Sequence, residues 1–326
     1  MSEGLFLQSY LAPLEPWLKT ETVTDILVNR PGEVWVETQT DGLARHEAPD
    51  LTEVVLGRLG RQIAAATHQG LSREHPLLSA ALPDGSRVQI ISPPASRDGF
   101  LLAIRRHAIV DLDLNRLAAG QFFDASQVGQ DEDDDRFLQD LLDKGERQRF
   151  LGEAVKRRKT IVISGGTGSG KTTLLNALLK EIPASERLVL IEDAPEVRLG
   201  RDNSIGLLAV RGDQGESQVD AHDLLTAALR MRPDRILLGE LRGREALAFL
   251  RAVNSGHPGS ITTVHANDPK GALDQITLLT MAGEITLDWT TARAQIDRMV
   301  DIVVQVSRKN GRRGVKEIAF TPRGKV

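Results

Sequence analysis

Residues 161–180 read IVISGGTGSGKTTLLNALLK, and the fold turns on them. IVIS has the character of a short buried strand, TLLNALLK carries apolar residues at helical spacing, and Gly165 to Thr172, GGTGSGKT, match G-x-x-x-x-G-K-[ST] in between. Glycines allow successive backbone N–H groups to converge on phosphate oxygens, and the helix N-terminus adds positive potential there. Gly165, Gly166, Thr167, Gly168, Ser169, Gly170, Lys171, Thr172 and Thr173 are therefore the expected nucleotide cradle. Lys171 would reach the outer phosphates and Thr172 would hold Mg2+, which makes ATP with magnesium the expected ligand pair. No N-K-x-D guanine motif argues for GTP.

Outward from the loop, TIVISG, RLVLIED, IGLLAV, RILLG and GSITTVH read as strands, separated by helical segments such as DLLTAALR and REALAFLRAVNS. Such alternation implies an α/β, mostly parallel sheet covered by helices. Parallel strands deliver their C-terminal ends to the edge that carries the phosphate loop. Acidic residues stand at those ends. RILLGELRG, residues 235–243, has Gly239 where most P-loop hydrolases have a magnesium-side aspartate, so Glu240 is the first carboxylate available to the metal's water shell or the attacking water. Glu192 and Asp193 end RLVLIED, and Pro195 restricts the chain that leads to Glu196. His265 ends GSITTVH, where it could donate to a phosphate, report nucleotide state to a carboxylate, or simply cap the strand. Zinc finds no support, since His257 is the one histidine nearby and the chain has no cysteine.

The rest of the chain differs in pattern. Between residues 23 and 105, TDILVN, EVWVET, RVQII and FLLAIR read as short strands around RPG, DG and PDG turns. One helix interrupts them, with Val55, Leu56, Leu59, Ile63 and Ala66 on the face expected to pack on the strands. This predicts a smaller α+β domain over 1–108, a linker over 109–135 whose closing acidic run, Asp131 to Asp135, reads as solvated linker or the start of a helix, and the P-loop domain over 136–326. Asn310-Gly311 between DIVVQVS and VKEIAF predicts a terminal β-hairpin. Lys156 to Lys159 are expected to complete a helix C-terminus.

Composition narrows the function. The 326 residues carry a net charge of −4, and with three tryptophans and one tyrosine they offer neither a global basic field nor a stacking platform for nucleic acid. Direct nucleic-acid binding is not expected. Absent cysteine suits a reducing compartment. No apolar stretch approaches the length of a membrane span, although SYLAPLEPWLK could make a peripheral contact with lipid.

The ordered set of GGTGSGKT, IEDAPE, RMRPDRILLGELRG and GHPGSITTVHAND resembles the traffic ATPases of bacterial type IV secretion systems. ILVNRPGEVWVE, HPLLSAALPDGSRVQI and AIRR are similar to their N-terminal domain, so the resemblance covers most of the chain. It implies a RecA-like C-terminal domain, a homo-hexameric ring that hydrolyses ATP, and a place on the cytoplasmic face of the inner membrane beside other secretion-system components. Glu192 then falls in the acidic box, Gly239-Glu240 in the family's form of Walker B, and His265 in the histidine box. Arg105 or Arg106 would close over nucleotide from the N-terminal domain, and Arg230 and Arg232 become candidate phosphate or interface sensors. Type II secretion ATPases carry a four-cysteine zinc element that this chain lacks. A type IV pilus or type II-like ATPase, a nucleic-acid translocase and a slow nucleotide-dependent assembly scaffold remain the competing readings.

Overall fold

The computed structural model describes residues 3–106, 113–119, 130–210, 212, 215–282 and 288–322. Two short helices, α1 (Glu3–Leu11) and α2 (Glu15–Leu18), lead into strands β1 (Val23–Val28), β2 (Gly32–Thr38) and β3 (Gly42–Ala48). Helix α3 (Glu53–Ala66) follows, then β4 (Leu77–Ala81), β5 (Arg87–Ile91) and β6 (Leu101–Arg105). The six strands form an antiparallel sheet in the order β3-β2-β1-β6-β5-β4. Thr52 starts α3 by accepting a hydrogen bond from Val55 N at 3.3 Å. The buried face of that helix is Leu56, Leu59, Gly60, Ile63 and Ala64. Ala66, expected on this face, is exposed, and Ala64 and Gly60, where a Cβ would stand 2.5 Å from the Phe100 ring, are buried in its place.

Successive residues of a strand point to opposite sides of its sheet, and here both sides are covered. Ile26, Val28, Leu102 and Ile104 face α3, whereas Leu27, Leu101 and Ala103 belong to a core shared with the C-terminal half.

Beyond helix α4 (Leu114–Ala119), the chain forms α5 (Gln130–Asp143) and α6 (Arg147–Lys156). The sheet-forming part then runs β7 (Ile161–Ser164), α7 (Lys171–Leu178), β8 (Leu188–Glu192), β9 (Ser204–Leu208), α8 (Ala221–Ala228), β10 (Arg235–Leu238) and α9 (Glu245–Asn254). It ends with β11 (Ile261–Val264), α10 (Pro269–Met281), α11 (Trp289–Met299), β12 (Ile302–Lys309) and β13 (Arg312–Phe320). Seven strands in the order β13-β12-β7-β11-β10-β8-β9 are parallel except for β13, which returns antiparallel from the Asn310-Gly311 turn. The expected α/β architecture with a smaller α+β domain in front is thus present.

Of the two readings of the acidic run, the structure has the helix start: it occupies the first turns of α5. Asp134 pairs with Arg157 at 2.8 Å and Asp135 with Lys159 at 2.6 Å, the latter pair buried. The acidic run and the basic stretch at the end of α6 therefore neutralise one another. Helix α5 begins at Gln130 and packs on α6 through Leu138 and Leu141. Most of the expected linker lies outside the described residues.

Two arginines are fully buried at the N-terminal edge of the sheet. Arg187 donates to Met231 O at 2.8 Å and to Asn203 and the N-terminal Asn29 at 2.7 Å each. Burial pushes its guanidinium down to about 9. Arg235 clasps Glu186 with bonds of 2.5 and 2.9 Å and donates to Val155 O at 2.7 Å. Arg232 forks onto Glu37 of β2, and Arg230 donates to Ser79 Oγ of β4 at 3.3 Å. These two candidate sensors therefore clamp the N-terminal sheet of their own chain.

Candidate active site

The phosphate loop leaves β7 at Gly165, whose N–H donates to Val264 O at 3.3 Å. A Cβ at Gly165 would lie 2.5 Å from Val306 O and 2.6 Å from Ser169 Oγ, so only glycine fits beneath the loop. Gly168 and Gly170 adopt φ of 71° and 105°, a region that side chains disfavour. The loop encloses one side of a cavity of about 410 Å³. Gly166, Thr167, Gly168, Ser169, Gly170, Lys171, Thr172 and Thr173 line it, as do Glu192, Glu240 and His265 from the strand ends.

Lys171 Nζ donates to Gly165 O at 2.8 Å and Gly166 O at 3.3 Å, and lies 3.3 Å from His265 Nε2. Burial lowers the proton affinity of this ammonium; Glu240 opposes the shift and Arg242 adds to it. His265 Nε2 is also 3.1 Å from Glu240 Oε1, while Arg242 donates to the other oxygen of Glu240 at 2.5 Å. The Arg242 guanidinium is held above its ordinary value chiefly by that bond. Lysine, histidine, glutamate and arginine thus form one row across the sheet edge. On the loop's other flank, Thr172 Oγ1 donates to Glu196 Oε2 at 3.2 Å. Glu192 Oε2 accepts from the backbone N–H groups of Glu196 and Val197 at 3.3 and 3.1 Å.

Gly239 has a steric reason. Its N–H donates to Ile191 O at 2.8 Å, and a Cβ there would stand 3.0 Å from the Cβ of Glu192. An aspartate at that point would press into the acidic strand end next to it. The carboxylate is displaced one residue onward to Glu240, and Thr263 Oγ1 secures the bend by donating to Gly239 O at 2.8 Å.

Two other expected residues are elsewhere. Arg106 donates to Thr20 O and Val23 O within the N-terminal half, and neither it nor the exposed Arg105 at the end of β6 lines the cavity. Sequence reasoning missed Arg313, which comes from β13 and packs its stem beside Gly170. No local pattern marks it. Only the pairing of β12 beside β7 carries the terminal hairpin to the phosphate loop.

The cradle passes a direct test of fit for a nucleotide triphosphate: an open glycine loop on a helix N-terminus, a lysine within it, and a threonine hydroxyl facing carboxylate. Among the described residues, no group of three or more His, Asp or Glu side chains could hold a metal by protein ligands alone.

Fold and site define a P-loop nucleoside triphosphatase with a RecA-like sheet. The family described as type II/IV secretion system protein matches residues 136–319. Type IV secretion system protein VirB11 of Bartonella quintana is 39% identical, with 96% of this chain and 92% of that protein covered. Type IV secretion system protein PtlH of Bordetella pertussis is 42% identical over 95% of this chain and 94% of its own length. The crystal structure of the VirB11 ATPase from the Brucella suis type IV secretion system, in complex with sulphate, superposes with a TM-score of 0.91 at 35% identity, covering 98% of this chain and 96% of that one. The chain belongs to the type II/IV secretion system protein family, on its type IV traffic-ATPase side, and is an ATP-hydrolysing enzyme. No helix among the described residues is long and apolar enough to cross a membrane.

Proposed function

We propose that this ATPase acts as a homo-hexameric ring, peripheral to the cytoplasmic face of the inner membrane, and that ATP and Mg2+ occupy the 410 Å³ cavity. The supporting observation is the convergence of Lys171, Thr172, Glu192, Glu240 and His265 on one sheet edge. Lys171 and the loop N–H groups bind the β- and γ-phosphates, and Arg313 adds charge from the hairpin. Thr172 and, through water, Glu240 would hold the metal, which when bound spreads the charge of the transferring phosphoryl group. Glu240 also orients the attacking water, and Glu192 sets the turn that carries Glu196 to the hydroxyl of Thr172. His265, between Lys171 and Glu240, links the phosphate end of the cavity to the Walker B carboxylate. Closure of the halves around nucleotide and reopening after hydrolysis would supply the mechanical stroke to other secretion components.

Arg105 enters this scheme through the ring. It is exposed, stands opposite Arg87 in register, and is away from its own chain's cavity. Asp25 of β1 faces it from the other side, and a neighbouring subunit's phosphate would compete with that carboxylate for the guanidinium. Light scattering with magnesium-ATP should give the mass of a hexamer; a monomer or dimer in every condition would end the ring reading. Glu240→Gln should lower kcat about 100-fold or more with nucleotide still bound.

A further inference from the structure

The segment between β5 and β6 does more than connect two strands. It leaves the N-terminal sheet and runs along β9, the outer strand of the C-terminal sheet. Arg97 N donates to Gly206 O and Leu208 N donates to Ala95 O, both at 2.9 Å, with Ser96 and Leu207 bridged between them. Side chains at such a crossing normally hold chains apart. Gly206 has none, and a Cβ there would collide with the Arg97 stem. Through that gap the guanidinium reaches inward, donating to Val197 O at 3.0 Å and pairing with Glu192 Oε1. Side-chain exposure is 14% for Arg97 and 3% for Glu192.

The two oxygens of Glu192 thus have separate tasks. Oε1 is held by the N-terminal half, and Oε2 holds the backbone of Glu196 and Val197. Arg97 grips the same turn from the other side through Val197 O. Glu196 in turn touches the hydroxyl of Thr172. A rigid run of contacts therefore leads from the N-terminal domain to the acidic loop and ends beside the phosphate-binding threonine.

The geometry points to Arg97 as a positioning residue for ATP hydrolysis, acting through Glu192: it couples the placement of the N-terminal domain to the orientation of the acidic loop. Arg97 lines no part of the cavity, so it acts on turnover rather than on nucleotide affinity. This rests on the proposed reading of the cavity as the ATP site and of Glu192 as the carboxylate that sets the acidic loop beside it.

A double-mutant cycle in the full-length protein tests it, with steady-state turnover and binding of a fluorescent ATP analogue measured for each variant. Arg97→Ala should lower kcat about 10- to 100-fold and leave the dissociation constant of the analogue within about 3-fold. Arg97→Lys, which keeps the charge, should recover part of the loss. In the Glu192→Gln background, Arg97→Ala should add nothing. If Arg97→Ala does not fold, Arg97→Gln, which keeps a donor for Val197 O but not the charge, takes its place. Impaired Glu192→Gln beside unimpaired Arg97 variants, or losses that multiply in the double variant, would overturn the role of Arg97 alone. Wild-type turnover in Glu192→Gln would overturn the role of Glu192 and this coupling with it.

Discussion

The two edges of the C-terminal sheet handle charge in opposite ways. At the edge where β8 and β10 begin, Arg187 and Arg235 are fully buried, and most of their donors, Arg187 Nη2 excepted, are matched to Asn29, Asn203, Met231 O, Glu186 and Val155 O. At the edge where the same strands end, Lys171, Glu240, Arg242 and His265 share partners across an open cavity. Parallel strands with right-handed crossovers leave their C-terminal ends as the crevice, so that edge is free for ligand. The opposite edge has loops to close, and arginine forks close them. Charge held by many fixed donors and acceptors stabilises a shape; charge held by exchangeable neighbours can turn to a phosphate.

The sharpest way to break this contrast is at the cavity. Lys171→Ala should reduce phosphate release about 1,000-fold or more, because it removes the cation that offsets charge on the transferring group. Its urea midpoint should stay near that of the parent protein. Loss of folding instead would make Lys171 a structural residue. At the other edge, Arg235→Met leaves the largely buried Glu186 without its fork. Stability should fall by about 3–5 kcal/mol in urea unfolding, with kcat of the remaining folded protein near normal. A kcat defect at unchanged stability would erase the distinction between the edges. The smallest effect belongs to Arg313→Ala. Losing one exposed cation beside the phosphate loop should weaken ATP binding several-fold, by about 1 kcal/mol, and the loss should shrink as salt is raised. Equal affinity at low salt would remove Arg313 from the site.

The glycine loop was legible because its residues are contiguous and each has a local reason. So were the strand-end acids, since β8, β10 and β11 are short apolar runs whose last residues announce the crevice. The roles of Arg105, Arg106, Arg230 and Arg232 were not legible in this way. An arginine near a strand end or helix end can reach a phosphate or a neighbouring sheet equally well, and Glu37 and Ser79 lie far from Arg232 and Arg230 in the chain. The acidic run was legible only in part, as a helix start without its partners, for a related reason. Asp134 and Asp135 read as solvated until α6 is packed against α5 and brings Arg157 and Lys159 to them. Runs such as DILV and LLAI, apolar without alternation, did carry a signal that both faces of the N-terminal sheet are covered, by α3 and by the C-terminal half.

By itself the sequence determined the P-loop chemistry, the α/β order of the second half, the strand-rich first half and the secretion-ATPase family, because each depends on short-range periodicity or on motifs read in one stretch. Only the tertiary structure decided which arginines line the cavity and which clamp the halves together. It alone brought Arg313 to the loop and Arg97 to Glu192, and it explained Gly239 by the nearness of Glu192. These are meetings between residues distant in sequence, set by strand order and by the seating of one domain on the other, and no local pattern encodes them.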